Sequence, residues 1–426
     1  MSHAATQHDL THHGALAPER LTLRPGSTAA PSMLLTLLGV VGLIAALVYG
    51  FAGGGEEVPA GKVAIAAFHA GAIVALAMTL GGLAFVMILH QVNAGWAALP
   101  RRQAEHVMSL VPVACGLVAV SLAINLLAPK DILLFKWMDP NYVAGDPIYD
   151  HKAGYLNVGF WIVRALAYMA IWIWLARGLY SMSREQDRTG DRWLTARMRR
   201  RSSYGLLLFA FSTAFASFDW LMSLDFHWFS TMFGVYFFAQ AMGAALATVI
   251  LAMLWFRRSG RARELTTREH LHDMGKLLFG FTAFWGYIAF SQYFLIWYAN
   301  IPEETAWFMR RRAEEWGWVS VALVVCRFVV PFVLLLPKPF KRNPLILGAM
   351  SVWILVFSVF DLLFVVRGQV YGADGVPLPL GAMDAIAAGA PVLLLFGLLL
   401  KRMTSTPGAP PNDPRIDASL HHKNYV

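Results

Sequence analysis

The sequence contains little charge and almost no cysteine, and both shortages limit the kinds of protein it can encode. Only 14% of its 426 residues are charged, whereas 57% are hydrophobic. Soluble domains usually contain about 25% charged residues, so most of this chain must face lipid or other apolar helices. Cys115 and Cys326 are the only cysteines, both lie in apolar stretches, and no CxxC or CxxCH motif is present. Structural zinc, iron–sulfur ligation, covalent haem and disulfides are therefore not expected.

Long apolar runs dominate the chain. A helix needs about 20 apolar residues to cross the hydrocarbon core of a bilayer. The sequence therefore predicts an all-α integral membrane protein, with a ten-helix transmembrane domain over 33–400. A polar tail at 1–32, predicted to be disordered, and a second tail at 401–426 flank it. The predicted spans are 33–53, 63–91, 106–128, 156–180, 203–224, 230–256, 277–299, 316–336, 345–366 and 380–400.

Basic residues set the orientation of the spans. With the N-terminus inside, the inner segments contain 24 Lys and Arg residues and the outer loops contain 8. Because cytoplasmic loops are enriched in Lys and Arg, both tails are predicted to be cytoplasmic. The formal charge of +9 then reflects topology rather than nucleic-acid binding. The longest outer loop, 129–155, is acidic and rich in turn residues, so it is either a docking site for a partner or a solvated connector.

Among the ionisable residues inside predicted spans, four are candidate functional groups, because a charge at that depth is costly. Asp219, Asp361 and Arg164 fall in the outer halves of their spans, and Arg327 lies about midway. They are expected to pair within one network. That network is either a set of structural ion pairs or a proton relay.

The seventh span is the most informative of the ten, because hydroxyl groups and aromatic rings recur along one face. Tyr287, Ser291 and Tyr298 recur on one face together with phenylalanines, and Gln292 lies nearby. This face either lines a proton path or quinone pocket, or satisfies its hydroxyl groups on neighbouring backbone carbonyls. Glu303 and Glu304 follow its outer end, where protons would leave.

Histidines near the inner boundary suggest further chemistry. His272 and Asp273 precede the seventh span, where they indicate either proton entry or a charged helix cap. His90, at the inner end of the second span, is a candidate quinone contact together with Tyr287, although a solvated interfacial histidine is the simpler interpretation. We predict no metal site, no catalytic residue and no haem b.

Two stretches resemble a known family: FDWLMSLDFHWFSTMFGVYFFA at 218–239 and HLHDMGKLLFGFTAFWGYIAFSQYFLIWYANIPEE at 270–304. Together with the ten spans, they resemble the F subunits of bacterial alternative complex III, a quinol:electron-acceptor oxidoreductase, within the wider NrfD/PsrC-like membrane family. The sequence departs from the family pattern at Arg327, where a histidine is expected, and after Asp361, where an aromatic segment is expected. The family's polar residues correspond most closely to Asp219, Asp225, His272, Asp273, Tyr287, Ser291, Gln292, Tyr298 and Glu303.

The resemblance implies two four-helix bundles, spans 2–5 and 6–9, with two peripheral helices. It also implies a place in the bacterial cytoplasmic membrane, beside a homologous quinol-binding C subunit, an iron–sulfur subunit, and multihaem and monohaem cytochrome c subunits. This chain would bind no redox cofactor of its own; it would act as a scaffold and provide a transmembrane proton pathway. The alternatives are a subunit with its own quinone or quinol site, or a secondary transporter.

Overall fold

A computed structural model describes residues 21–23, 25–52, 60–127, 129, 132–258, 265–312, 314–372 and 377–424. Helices form nearly all of these ranges, which contain three short 3-10 helices (Gly95–Ala97, Lys136–Met138, Met222–Asp225), one π-helix (Val324–Val329) and no strand. The α-helices are α1 Pro25–Ala52, α2 Ala60–Gln91, α3 Ala98–Met108, α4 Val111–Leu127, α5 Pro140–Val143, α6 Pro147–Lys152, α7 Val158–Thr189, α8 Trp193–Trp220, α9 Phe233–Arg258, α10 Arg268–Ala299, α11 Pro302–Arg310, α12 Glu314–Leu323, α13 Val330–Leu335, α14 Lys338–Arg342, α15 Pro344–Arg367, α16 Ala382–Ser405 and α17 Ile416–Leu420.

The predicted class, an all-α integral membrane protein, is confirmed. Within the described ranges, nine helical segments are long and apolar enough to cross a membrane. The remaining predicted span, 277–299, lies in α10, which at 32 residues is as long as α2 but less apolar. The π-helix joins α12 and α13 into the single predicted span 316–336.

Local sequence signals set the ends of several long helices. The Asn157 side chain accepts a hydrogen bond from the Phe160 N–H and caps the start of α7, and Gly190 ends that helix with a φ of 69°. Asn343 caps α15 in the same way, accepting from the Leu345 N–H, and Pro344 follows it. Proline suits the first helical position because the N–H that it lacks has no partner there.

The long helices form two bundles. In the first, α2 packs against α4 and α8, and α7 closes the ring by packing on the same two helices. In the second, α9 packs against α10 and α15. The span formed by α12, the π-helix and α13 packs against the same two helices, α10 and α15. Helices α1 and α16 pack on each other and on α2, outside both bundles, as predicted.

The two bundles meet closely along α2 and α9. A Cβ atom added at Gly81 would overlap the carbonyl oxygen of Ala241 and lie 2.6 Å from the Cβ of Ala245. Small residues let transmembrane helices approach to this distance. Ala239, Gly243 and Ala247 of α9 are small and buried as well, but Gly243 lies under the Arg327 side chain instead of facing α2.

Both tails differ from their predicted boundaries. Helix α1 begins at Pro25, inside the tail predicted over 1–32, while 1–20 lie outside the described residues. Helix α16 continues to Ser405, and the C-terminal segment 406–424 then crosses the end of the molecule where α2 ends and α10 begins. The Gly408 N–H donates to the Leu21 carbonyl oxygen over 2.7 Å, so both tails meet at the same end. This agrees with an even number of crossings.

Most of the acidic outer loop, 129–155, is folded into short helices and turns. The Asp139 and Asp146 side chains cap α5 and α6 by accepting backbone N–H groups, and Asp146 also binds His227 at 2.6 Å. Burial tends to raise the pKa of Asp146, but the hydrogen bonds from His227 and the backbone outweigh it and hold that pKa below its ordinary value. These acidic groups already have partners inside the chain, which favours the connector interpretation.

Candidate functional site

Each bundle contains one fully buried carboxylate in its outer half, and the two are bound in different ways. In the first bundle, α8 ends just after Asp219 and α7 presents Arg164 to it. Arg164 Nε and Nη2 donate to the two carboxylate oxygens of Asp219, each over 2.8 Å, and the Tyr168 hydroxyl donates to one of them over 2.9 Å. A bidentate pair of this kind fixes geometry and charge together.

Arg164 is held from its other side as well. Its Nη1 donates to the Tyr155 carbonyl oxygen over 2.9 Å, and the guanidinium lies 3.8 Å from the centre of the Tyr155 ring. Both oxygens of Asp219 are therefore occupied by a cation that is itself held in place. This geometry favours the structural ion pair over the proton relay for Asp219.

Asp361, in the second bundle, is held by neutral donors instead. The Tyr236 hydroxyl on α9 donates to one oxygen, and the Trp285 indole Nε1 on α10 donates to the other over 3.0 Å. Across the described ranges, no Lys, Arg or His nitrogen lies within 4.0 Å of this carboxylate. Asp361 thus lies in an apolar interior without an ion-pair partner, and such a group is a candidate site of proton binding.

Arg327 is a buried cation of the second bundle that forms no direct ion pair with Asp361. It lies in the π-helix, where its Nη2 is 3.4 Å from the Gln240 Oε1 and its guanidinium is 5.1 Å from the Trp285 ring centre. Its Nε and Nη1 atoms are buried without a hydrogen-bond partner in the described part of the chain. Gly243 leaves room for this side chain, and Gln240 in turn donates to the Ser358 carbonyl oxygen over 3.2 Å.

The expected single network is therefore wrong. Arg164 pairs with Asp219 in the first bundle, whereas Arg327 accompanies Asp361 in the second without forming a direct ion pair. Two members of the second cluster, Tyr236 and Trp285, were not predicted as site residues, because hydropathy counts aromatic residues simply as apolar. The Tyr hydroxyl and the Trp indole N–H could have indicated them, since these groups usually find a hydrogen-bond partner when they are buried.

The polar face of α10 points out of the molecule. Tyr287 and Tyr298 are 66% and 77% exposed, and Ser291 is half-buried, so this face does not line a path or pocket inside the chain. Gln292 lies on the opposite side, buried, and accepts from the Ser230 hydroxyl over 3.1 Å. Glu303 and Glu304 lie in the first turn of α11, where Glu303 is exposed.

The two predicted quinone contacts lie apart. His90 is only 1% exposed at the end of α2 in the first bundle, and neither ring nitrogen has a partner among the described residues. Tyr287 lies on the outward face of α10 in the second bundle. Of these two side chains, Tyr287 is exposed and His90 is buried.

The inner end of the second bundle is covered by the C-terminal segment. His272 and Asp273 are buried, and Asp273 binds Lys276 at 2.6 Å and His422 at 2.5 Å. His270 lies 3.1 Å from the Ser419 hydroxyl, which donates to the Trp96 carbonyl oxygen. The C-terminal segment therefore joins the inner ends of both bundles.

A second contact anchors the same segment to the first bundle. Asp413 forms an ion pair with Arg101 of α3 and is flanked by Arg415 at 3.2 Å. Burial alone would raise the pKa of Asp413, but these two guanidinium groups outweigh it and hold that pKa well below its usual range. The sequence did not predict this contact, since Arg101 and Asp413 are 312 positions apart.

Comparison with known proteins adds no assignment. The sequence matches no family model and no curated protein. A search of the described residues for clusters of His, Cys, Asp and Glu that could hold a metal ion also finds none.

Proposed function

We propose that this chain is a non-catalytic membrane subunit of a bacterial respiratory quinol:electron-acceptor oxidoreductase, of the type of alternative complex III. It supports the complex in the cytoplasmic membrane, and its second bundle conducts protons. Quinol oxidation would take place in a homologous C subunit beside this chain, and electrons would pass to iron–sulfur and cytochrome c subunits. The motifs at 218–239 and 270–304 support the identity of the complex.

The single observation that supports proton conduction is the geometry of Asp361. Its two oxygens accept from Tyr236 and Trp285, which are donors whether or not the carboxyl carries a proton. Because no cation of the described ranges is bound to it, protonation of Asp361 breaks no ion pair there. The same step at Asp219 would require the loss of a bidentate bond to Arg164.

Polar groups continue from Asp361 toward the inner end. Ser358, Ser351, Thr282 and Thr248 are buried in the second bundle, and each hydroxyl donates to a carbonyl of its own helix. Their oxygens remain able to accept a hydrogen bond. With His272 and Asp273 at the inner end, they outline the route by which protons would approach Asp361.

The first experiment tests the complex. Gentle extraction of the tagged chain from its native membrane should co-purify subunits that contain iron–sulfur clusters and c-type haem. Isolation of the chain alone from a membrane with quinol-oxidising activity, with that activity in a separate fraction, would contradict membership.

The second experiment tests the proton site. Asp361→Asn in the reconstituted complex should lower proton translocation at least tenfold relative to quinol oxidation, because Asn cannot bind and release the proton. Assembly should persist, since the amide can keep one of the two hydrogen bonds at a cost of about 1–3 kcal/mol. Asp150→Asn, on the exposed outer loop, is the matched control and should leave the ratio unchanged. Unchanged translocation in Asp361→Asn would refute the proposed role.

A quinone site of this chain's own is the second candidate, favoured by the exposure of Tyr287 to the membrane. If Tyr287 contacts a quinol head group, Tyr287→Phe should raise the KM for quinol, whereas Tyr298→Phe at the outer end should not. Identical quinol kinetics in both variants would exclude this site.

A further inference from the structure

The eighth span contains a wider helical turn at the position of Arg327. In the π-helix Val324–Val329, the turn closes with a hydrogen bond from the Val330 N–H to the Val325 carbonyl oxygen, five residues back. A single widened turn inside an α-helix is rare and is frequent at functional sites.

The burial pattern of this span explains why a wider turn is needed. Leu323, Arg327, Pro331 and Leu335 are all buried, and they recur every fourth residue. In an α-helix of 3.6 residues per turn, every fourth residue drifts by about 40° around the axis, or roughly 120° over three steps. The π turn absorbs this drift, and all four side chains therefore face the bundle.

Pro331 makes the wide turn dependent on one side chain of another helix. The Cys326 carbonyl would accept from the residue five positions on, but that residue is Pro331, which has no N–H. The Trp353 indole on α15 donates to this carbonyl over 2.7 Å and takes the place of the missing donor.

An α turn at the same place would reverse this arrangement. The Val330 N–H would then bond to the Cys326 carbonyl, four residues back, and the carbonyl without a backbone donor would be that of Arg327. Trp353 would then donate to an oxygen that already accepts a hydrogen bond within the helix, so its indole would no longer satisfy a carbonyl that lacks a donor. The indole donor of Trp353 thus stabilises the π register over the α register.

We propose that Trp353 is a positioning residue for the proton site, holding the eighth span in its π register so that Arg327 faces Gln240 and Trp285. A change of register by one residue rotates one half of the span by about 100° relative to the other. Arg327 would then leave the Gln240 side chain, which it reaches at 3.4 Å. This inference rests on the proposed function of Asp361.

The test uses the Cys326 carbonyl as a backbone probe. In a Cys115→Ala background, labelling with cysteine enriched in ¹³C at the carbonyl marks Cys326 alone. Trp353→Phe removes the donor, and the balance between the two registers should shift by about fivefold or more toward the α turn. Solid-state NMR of the full chain in lipid should then show a displaced Cys326 carbonyl resonance.

Proton translocation by the assembled complex is the second measurement. Trp353→Phe should lower translocation relative to quinol oxidation, and Trp353→Gln, which retains an N–H donor, should restore it in part. In an Arg327→Gln background, Trp353→Phe should cause no further loss, because it acts through Arg327. Trp174→Phe, at a lipid-exposed position in the first bundle, is the control for loss of an indole and should change neither measurement.

The outcomes separate this inference from the proposed function. An unchanged Cys326 resonance in Trp353→Phe, or a displaced resonance with normal translocation, would overturn the positioning role. Additive losses in the double variant would also overturn it. If Asp361→Asn itself leaves translocation unchanged, the proposed function fails, whatever the Cys326 resonance shows.

Discussion

Replacement of Asp219 by Asn should destabilise the first bundle without removing a proton carrier. The change leaves the Arg164 guanidinium, only 8% exposed, without the carboxylate that now binds it over two 2.8 Å bonds. The amide can accept one of those bonds, but in either orientation its NH₂ group would face an Arg164 N–H, which is also a donor.

The expected cost is about 3 kcal/mol. Removal of one partner from a buried ion pair typically costs about 3–5 kcal/mol, because the other charge is left buried and unpaired. Arg164 keeps the Tyr155 carbonyl oxygen at 2.9 Å and the ring contact at 3.8 Å, which places this case at the lower end. A loss of about 3 kcal/mol is roughly a hundredfold change in the ratio of folded to unfolded protein.

The assay is reversible unfolding of the purified chain in mixed micelles, with wild type and Asp219→Asn compared at neutral pH. The Arg164→Met, Asp219→Leu double variant is the control, since exchange of a buried pair for apolar residues of similar volume is often neutral. A variant Asp219→Asn as stable as wild type would refute the reasoning. So would lost proton translocation in an Asp219→Asn complex of normal stability.

Two further predictions concern packing and the C-terminal segment. Gly81→Ala should cost about 1–3 kcal/mol in the same unfolding assay, because the new methyl group forces α2 away from Ala241; Gly280→Ala, with open space around it, should be neutral. The pKa of Asp413 is depressed in the folded state, so its stabilising effect is present above its ordinary value of 3.8 and is lost as the pH falls below it. Amide hydrogen exchange of 406–424, corrected for intrinsic rates, should therefore accelerate as the pH falls through about 4. The Asp413→Asn variant should show the fast exchange already at neutral pH. Exchange rates that do not change in Asp413→Asn would contradict this prediction.

Hydropathy predicted the positions of nine of the ten spans because span length is a local property. A run such as 63–91 is apolar whatever surrounds it, and the helix Ala60–Gln91 follows from it directly. Hydropathy does not predict which face of a span points into the protein. Lipid tails are as apolar as Leu, so hydrophobicity does not distinguish the lipid side of a membrane helix from the protein side. This is why the face of Tyr287 and Tyr298 was expected inside and lies outside.

The chemistry of the buried charges depends on contacts that local patterns do not encode. Sequence alone identified Asp219 and Asp361 as candidates, but not that Arg164 binds the first and that the neutral donors Tyr236 and Trp285 bind the second. The π turn was equally hidden, since the four-residue spacing that requires it becomes visible only once the buried positions are known.

The two carboxylates together allow a crossed comparison that neither allows alone. Both are fully buried in the outer halves of their bundles, and the same Asp→Asn change removes one ionisable oxygen from each. If an ion pair decides whether a buried carboxylate is structural, Asp219→Asn should lose stability and the surviving complex should still translocate protons. Asp361→Asn should lose translocation at a smaller cost in stability, because the amide oxygen keeps one of the two hydrogen bonds from Tyr236 and Trp285, and no ion pair among the described residues is broken. If both variants lost stability and proton translocation alike, the partners of a buried carboxylate would not determine its role, and the proposed difference between the two bundles would be refuted.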